Sequence, residues 1–210
     1  MSDYLEQILD RFDPEEYQSY DWENIDDPSK LGEVGTEIPR EYEQKERGGA
    51  IFAVNILSEL HHLSEEAHSS IESVKHRQVE RWGRDKKDDL DLFFSFVGQT
   101  QEHLLREAVI QHIFADKVVT DEIKMMIHGA ENYRGYGHHQ CLQILEAGEV
   151  IDDGLKGEIG QVRSERNKAV HDITRWLFAE FDPEDIESQV NRGERSVVRL
   201  LELVYGFDLE

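Results

Sequence analysis

Residues 163–171 read R-S-E-R-N-K-A-V-H and are followed by Asp172. Here a permanent cation, an amide and an imidazole lie within nine residues, between two apolar patterns of helical spacing. These two patterns consist of Leu155, Ile159 and Val162 before the stretch and Ile173, Trp176, Leu177 and Phe181 after it. Apolar residues three or four positions apart predict amphipathic helices, so this polar stretch is expected to be held by helices that pack on a core.

The arrangement of these polar residues depends on whether the helix continues through them. On one unbroken helix, Arg166 and His171 lie five residues apart, roughly 140° around the axis, whereas Arg163, Asn167 and His171 form a single stripe. A helix break after Asn167 would instead let Arg166 and His171 converge. Either arrangement places a cationic, hydrogen-bonding cluster at one point.

The segment Gln140–Phe178 resembles the HEPN superfamily, small all-helical domains marked by an arginine, a polar residue and a histidine four to six positions further on. Arg166, Asn167 and His171 occupy these positions. The resemblance also includes an upstream run with looser spacing, formed by Leu142, Leu145, Gly148 and Ile151. It extends from about Asp88 to the C-terminus and does not include the first 85 residues. Mannitol-repressor-like proteins share a similar Arg-Asn-x-x-x-His context, so the resemblance does not by itself decide on catalysis.

The predicted fold class is all-α, because no β-alternation of useful length occurs and the apolar periodicity is helical throughout. We expect a HEPN-like helical bundle with a long N-terminal helix and an acidic N-terminal extension. Residues 1–47 are predicted to form the extension, which includes a short amphipathic helix. Residues 48–85 are predicted to form the long amphipathic helix, and residues 86–210 the HEPN-like domain. The boundary is set at the charged run 83–89, which is expected to be a hinge.

The periodic run from Gly49 to Trp82 predicts one helix of about thirty residues, or ~50 Å. Because this stripe is longer than a small bundle needs, we expect the helix to lie outside a four-helix core and to mediate association. His61, Glu65 and His68 share one of its faces. Surface histidines and glutamates are common, so no metal site is predicted there, and no cofactor is expected.

The charge of the chain is strongly negative. Among 210 residues, 46 are Asp or Glu and 23 are Lys or Arg, which gives a formal net charge of -23. Such an excess repels nucleic acid at low salt. The carboxylates are spread along the chain and Arg outnumbers Lys, as in proteins from salt-loving organisms. At molar salt the Debye length falls to ~3 Å, so RNA could still reach a local arginine cluster.

The compartment is predicted from what the sequence lacks. Cys141 is the only cysteine, which rules out an internal disulfide and favours a packing role in a reducing interior. No apolar run of membrane-spanning length occurs, and the N-terminal segment is acidic. We therefore expect a cytoplasmic protein without membrane contact.

Two further groups of polar residues are candidates for supporting roles. Glu102 and His103 lie in the polar middle of a second long helix, together with Gln101 and Arg106. A solvated face is the default for all four, but in a HEPN-like bundle this helix can face the motif, so Glu102 or His103 is a candidate supporting group. The second group is a glycine-bounded loop with residues that could stack on bases or pack as ordinary loop residues: Tyr133, Arg134 and Tyr136.

The resemblance implies metal-independent RNA cleavage by attack of the 2′-hydroxyl group. His171 would act as base or acid, and Arg166 would bind phosphate oxygens. Asn167 would orient His171 or Arg166, and Arg163 would be a supporting cation. HEPN ribonucleases generally act as dimers in which two motifs meet. The alternative is structural: Arg166 pairs with Glu165, Asp172 or a helix terminus, and His171 forms a hydrogen bond with a backbone carbonyl.

Three classes of function follow. The first is an endoribonuclease of the toxin or antiviral-defence type, with RNA as substrate, a homodimer as the active form and a nucleotidyltransferase-like antitoxin as a possible partner. The second is a non-catalytic HEPN-like interaction or regulatory module that acts through its helical surface. The third is an acidic nucleic-acid mimic or nucleotide-binding regulator.

Overall fold

The computed structural model describes residues 43–77, 84–114, 121–129, 135–171 and 182–206. Within these ranges the helices are α1 (Glu43–Arg77), α2 (Arg84–Ala108), α3 (Asp121–His128), α4 (His138–Ala147), α5 (Asp153–His171) and α6 (Pro183–Tyr205). A π-helical turn, Val109–Ile113, continues α2. The described ranges contain no β-strand, which confirms the all-α class. The predicted acidic extension lies outside them up to residue 42.

Four long helices form the body of the fold, with α2 and α6 as its central pair. Helix α1 packs on both from one side, and α5 packs on both from the other. The shorter helices α3 and α4 pack on α2, and α4 also contacts α5. Helix α2 therefore has neighbours on most of its circumference.

The two central helices run parallel and approach closely. The Gln101 side-chain amide donates a hydrogen bond to Ser196 Oγ at 2.7 Å, and further towards the start of both helices Phe93 lies against Gly193. A Cβ atom built on Gly193 would come within 3.1 Å of the Phe93 ring. Because it lacks a side chain, Gly193 provides room in α6 for a ring of α2.

Helix α1 is an integral part of the bundle, so the prediction that it lies outside a four-helix core is wrong. Its apolar stripe is buried against α2 and α6: Ala53, Ile56, Leu57, Leu60, Leu63, Ala67, Ile71 and Val74. Ser64 donates to Glu194, and further along α1 the Lys75 ammonium pairs with Glu187 at 2.8 Å, so α1 runs antiparallel to α6. The whole apolar stripe of α1 can be buried within one chain because α2 and α6 are also long helices.

A small polar network lies inside this packing. Glu194 of α6 is completely buried, accepts a hydrogen bond from Ser64, and has His68 Nε2 at 3.7 Å. Gln101 is also completely buried, which corrects its predicted place on a solvated face. The reason is the central position of α2, where even polar positions are covered and need hydrogen-bond partners.

Residues 84–89 of the predicted charged hinge are helical, because α2 begins at Arg84; residue 83 lies outside the described residues. Lys87 forms an ion pair with Asp91 one turn later, and Asp89 Oδ2 accepts a hydrogen bond from Ser70 at 2.6 Å. Charged residues at i and i+4 spacing support a helix, so a run without apolar residues can still be helical. The end of the helix predicted to reach Trp82 lies outside the described residues after Arg77.

The helices on either side of the motif helix have capped ends. Gly148 N–H donates to the Ile144 carbonyl at 3.0 Å at the end of α4, and Asp182 caps α6 by accepting from the Glu184 N–H at 3.0 Å.

Cys141 is buried, and burial raises the pKa of its thiol to about 11, in keeping with the predicted packing role. In the described part of the chain, no helix has the length and apolar character needed to cross a membrane.

Candidate functional site

Helix α5, which carries the motif, is fixed at its N-terminal end. Asp152 Oδ1 accepts a hydrogen bond from the Leu155 N–H at 2.6 Å, so Asp152 is the N-cap of α5. This hydrogen bond, with the Arg199 guanidinium nearby, holds the pKa of Asp152 below its usual value. On the core side, Leu155, Ile159 and Val162 are buried against the central pair.

A row of arginines on α6 sets the register of α5. Arg199 pairs with Asp152 at 2.8 Å, Arg195 reaches Glu158 at 3.3 Å, and Arg192 donates to the Gln161 side chain. As the residue number falls along α6 it rises along α5, so the two helices are antiparallel. These contacts fix α5 from its N-terminal end up to Gln161, two residues before the motif stretch begins.

The motif itself lies on one continuous helix, since α5 extends without interruption to His171. The arrangement with a break after Asn167 is therefore not observed. On this backbone Arg163, Asn167 and His171 share one stripe, while Arg166 and His171 are separated by roughly 140° around the axis. Asn167 is exposed and Arg163 is partly exposed. The side chains of Arg166 and His171 lie outside the described part of the structure.

The register shows which other elements reach the level of the motif. Continued at about 1.5 Å per residue, the pairing of α5 with α6 brings His171 level with Pro183, the first residue of α6. Helix α2 runs parallel to α6 and begins at nearly the same level, so its first turn lies at this end of the bundle. That turn contains Arg84, Lys86 and Lys87.

The predicted supporting residues Glu102 and His103 lie towards the opposite end. Residue 101 is level with Ser196, about 20 Å along the bundle axis from the start of α6. Glu102 pairs with Arg106 of its own helix. The ring of His103 contacts Phe52 of α1 and His128 of α3, with centroid distances of 5.2 and 5.9 Å. The structure therefore does not bring these two residues to the motif.

The predicted base-stacking loop is described only in part. Tyr133 and Arg134 lie outside the described residues. Tyr136 packs partly buried against the core, its N–H donates to the Ile127 carbonyl at 2.9 Å, and its carbonyl accepts from Arg106 Nε at 2.8 Å. These contacts place Tyr136 beside the later part of α2, away from the motif end.

Sequence reasoning missed one cluster of ionisable residues, formed by His103, Glu107 and His128. His128 Nε2 lies 3.0 Å from Glu107 Oε1. Burial is the main cause that lowers the pKa of His103; the Glu107 carboxylate acts in the opposite direction, and the nearby His128 and Arg106 lower the pKa further. The spacing of His103 and Glu107, one helical turn, is visible in the sequence. His128 is supplied by another helix and gives no such signal.

Comparison of the chain with protein families, with curated proteins and with solved structures found no match.

Proposed function

We propose that this chain is a HEPN-like, metal-independent endoribonuclease of the toxin or antiviral-defence type. The observation that carries the proposal is the position of the motif on the last two turns of α5. There Arg163, Asn167 and His171 share one stripe, and Asn167 is exposed. The first turn of α2, which contains three cations and one aspartate, reaches the same end of the bundle. A phosphodiester at the motif would lie near cations of two helices, while molar salt screens the carboxylates at this end.

The proposed chemistry uses the different properties of the three motif residues. His171 carries an imidazole, which can take the proton of the 2′-hydroxyl or give one to the leaving 5′-oxygen. Arg166 supplies a planar guanidinium, which can bind two phosphate oxygens and stabilise the negative charge of the phosphorane. Asn167 can hold either the nucleotide or a catalytic side chain by hydrogen bonds through its amide group.

The continuous helix favours an active site shared between two copies. The backbone positions of Arg166 and His171 diverge around the axis of α5, and one motif contains a single imidazole. Cleavage by acid–base catalysis uses two proton-transfer groups on opposite sides of the phosphate. A two-fold symmetric contact would bring the arginine and imidazole of one protomer to face those of its partner.

The proposal is tested by incubating the purified full chain with mixed RNA in molar KCl and EDTA and analysing the new ends. We expect 2′,3′-cyclic phosphate and 5′-hydroxyl ends, since the 2′-oxygen is the nucleophile. Arg166→Lys should be severely impaired because an ammonium group does not reproduce bidentate phosphate binding. The absence of any cleavage across salt, pH and several RNAs would contradict the proposal.

A second candidate is a non-catalytic interaction module, and one observation favours it. Met125 and Met126 on α3 are 39% and 43% exposed, and adjacent exposed methionines suit an adaptable protein contact. If this function holds, a Met125→Lys/Met126→Lys double variant should lose its biological effect, whereas His171→Ala should retain it.

A further inference from the structure

The cluster of His103, Glu107 and His128 has the composition of a metal site. Their potential ligand atoms, two imidazole nitrogens and a carboxylate oxygen, all lie within 4.8 Å of one another. Zinc is bound at about 2.0–2.2 Å by these donors, so ligand atoms around one tetrahedral ion are roughly 3.3 Å apart. Side-chain rotations that move each atom by about 1 Å would therefore bring the three into coordination distance.

Two of these residues are fixed by one helix. His103 and Glu107 are separated by four positions on α2, so they stand one above the other on the same face. Phe52 and Tyr205 border this face, with the Phe52 ring 5.2 Å from the His103 ring and 6.2 Å from the Tyr205 ring. The three cluster side chains are all partly buried, which limits competition from water.

The third residue is held in place by the backbone around the end of α3. His128 is the last residue of α3, where the Gly129 N–H donates to the Met125 carbonyl at 2.9 Å. Gly135 packs so closely on this end that a Cβ atom on it would lie 2.6 Å from the His128 carbonyl group. The following residue, Tyr136, ties the segment to α2 through Arg106. These contacts hold His128 close to α2 in the absence of a metal ion.

We propose that His103, Glu107 and His128 bind one divalent transition-metal ion, with zinc as the best match to two imidazoles and one carboxylate. Three protein ligands leave a fourth position open for water or another small ligand. The nearby cation does not oppose binding strongly, because Arg106 is paired with Glu102. The ion would connect α2 to α3 at the end of the bundle opposite the motif. This site goes beyond the proposed ribonuclease function and does not depend on it.

Helix α1 provides an internal comparison with the same spacing but no third ligand. His62 and Glu66 are one turn apart, with His62 Nε2 3.7 Å from Glu66 Oε1, and both are exposed. Among the described residues, His103, Glu107 and His128 are the only group of three His, Cys, Asp or Glu residues close enough to share an ion. A His-x-x-x-Glu pair alone should bind metal far more weakly than the three-residue cluster.

The test uses the full chain, stripped with EDTA, transferred to chelator-free buffer and titrated with zinc chloride in a calorimeter. Wild type should bind one ion per chain and show a higher melting temperature with zinc. Cobalt(II) in place of zinc should give the visible absorption of a tetrahedral complex. His128→Ala and Glu107→Gln should each weaken binding on the order of 10²-fold or more, since loss of a supporting residue already costs 10–100-fold. His62→Ala should bind as wild type does.

Glu107→Gln keeps the size of the side chain, so it remains informative if His128→Ala fails to fold. The proposal is overturned if wild type binds no zinc at micromolar concentration. It is also overturned if folded His128→Ala or Glu107→Gln binds as tightly as wild type, or if His62→Ala alone abolishes binding. RNA cleavage in EDTA is scored separately, so failure of the metal site and failure of the ribonuclease proposal give different results.

Discussion

Gly157 and Gly135 differ in the space that surrounds them, so replacement by alanine should change the stability of the protein in opposite directions. Gly157 lies on the exposed face of α5, where an added methyl group would have no atom within 4 Å. Gly135 lies against the end of α3, where a methyl group would come within 2.6 Å of His128 backbone atoms. A flexible side chain can move away from such a contact, but backbone atoms of a helix end cannot do so without displacing the helix.

We expect Gly157→Ala to stabilise the protein by roughly 0.5–1 kcal/mol, because alanine reduces the freedom of the unfolded chain and favours the helix. Gly135→Ala should destabilise it by about 1–3 kcal/mol through overpacking. Urea unfolding followed by circular dichroism measures both changes. Equal effects of the two substitutions would show that the segment around Gly135 can move away from α3 at little cost.

Helix α1 shows what periodicity predicts and what it leaves open. The spacing of its apolar residues correctly predicts one long helix. It does not reveal whether α2 and α6 or a second chain covers the stripe, because both bury the same apolar surface. In the structure α2 and α6 cover it, and Leu60 is completely buried between them.

Leu60→Ala should lower the free energy of unfolding by about 2–5 kcal/mol, as expected for truncation of a fully buried leucine. The matched control is Leu92→Ala on α2, where the leucine is 54% exposed and the loss should stay within about 0.5 kcal/mol. Denaturant titrations of both variants provide the comparison. A Leu60→Ala protein with wild-type stability and a lower mass in solution would instead place α1 in an interface between chains.

The first turn of α2 provides a second test at the level of a helix. If RNA binds at the motif end, Lys86→Gln/Lys87→Gln should weaken binding and reduce the slope of log affinity against log salt by roughly 0.7 for each phosphate that is no longer neutralised. Lys156→Gln is the control, because Lys156 also pairs with a carboxylate but lies at the other end of α5. Fluorescence anisotropy with labelled RNA, in a His171→Ala background, measures binding without cleavage. Equal slopes in all three proteins would contradict this location.

The residues that sequence reasoning placed incorrectly share a physical cause. Glu102 and His103 occupy a helix that does contact α5, but antiparallel packing carries them to the end away from the motif. Gln101 is polar and yet completely buried, with its side-chain amide nitrogen hydrogen-bonded to Ser196 of α6. Helix periodicity describes one helix at a time. Register and the partners of buried polar groups depend on two helices together, which a single sequence does not specify.

For the molecule as a whole, charge is the property that most affects its behaviour. The net charge of -23 is spread along the chain, and several carboxylates near the motif end, including Asp182, Glu184 and Asp185, are exposed. At low ionic strength these groups repel one another and repel phosphate. At molar salt the Debye length is ~3 Å, so only contacts at short range retain their strength.

The melting temperature should therefore rise from low to molar KCl, since screening removes repulsion within the folded state. Differential scanning calorimetry over this range, with protein concentration held constant, gives the result directly. A melting temperature that is flat across the series would show that the acidic surface is not an adaptation to salt.

The central claim, that His171 takes part in RNA cleavage, is tested most directly by one rate measurement. The initial rate of 2′,3′-cyclic phosphate formation is compared between wild type and His171→Ala in molar KCl with EDTA, and equal melting temperatures confirm that both are folded. His139→Ala, on exposed α4 surface, is the matched control and should cleave at the wild-type rate. We predict a loss on the order of 10² to 10⁴ in His171→Ala, the usual contribution of a general acid–base group. Equal rates in wild type and folded His171→Ala, or no cleavage by either, would contradict the claim.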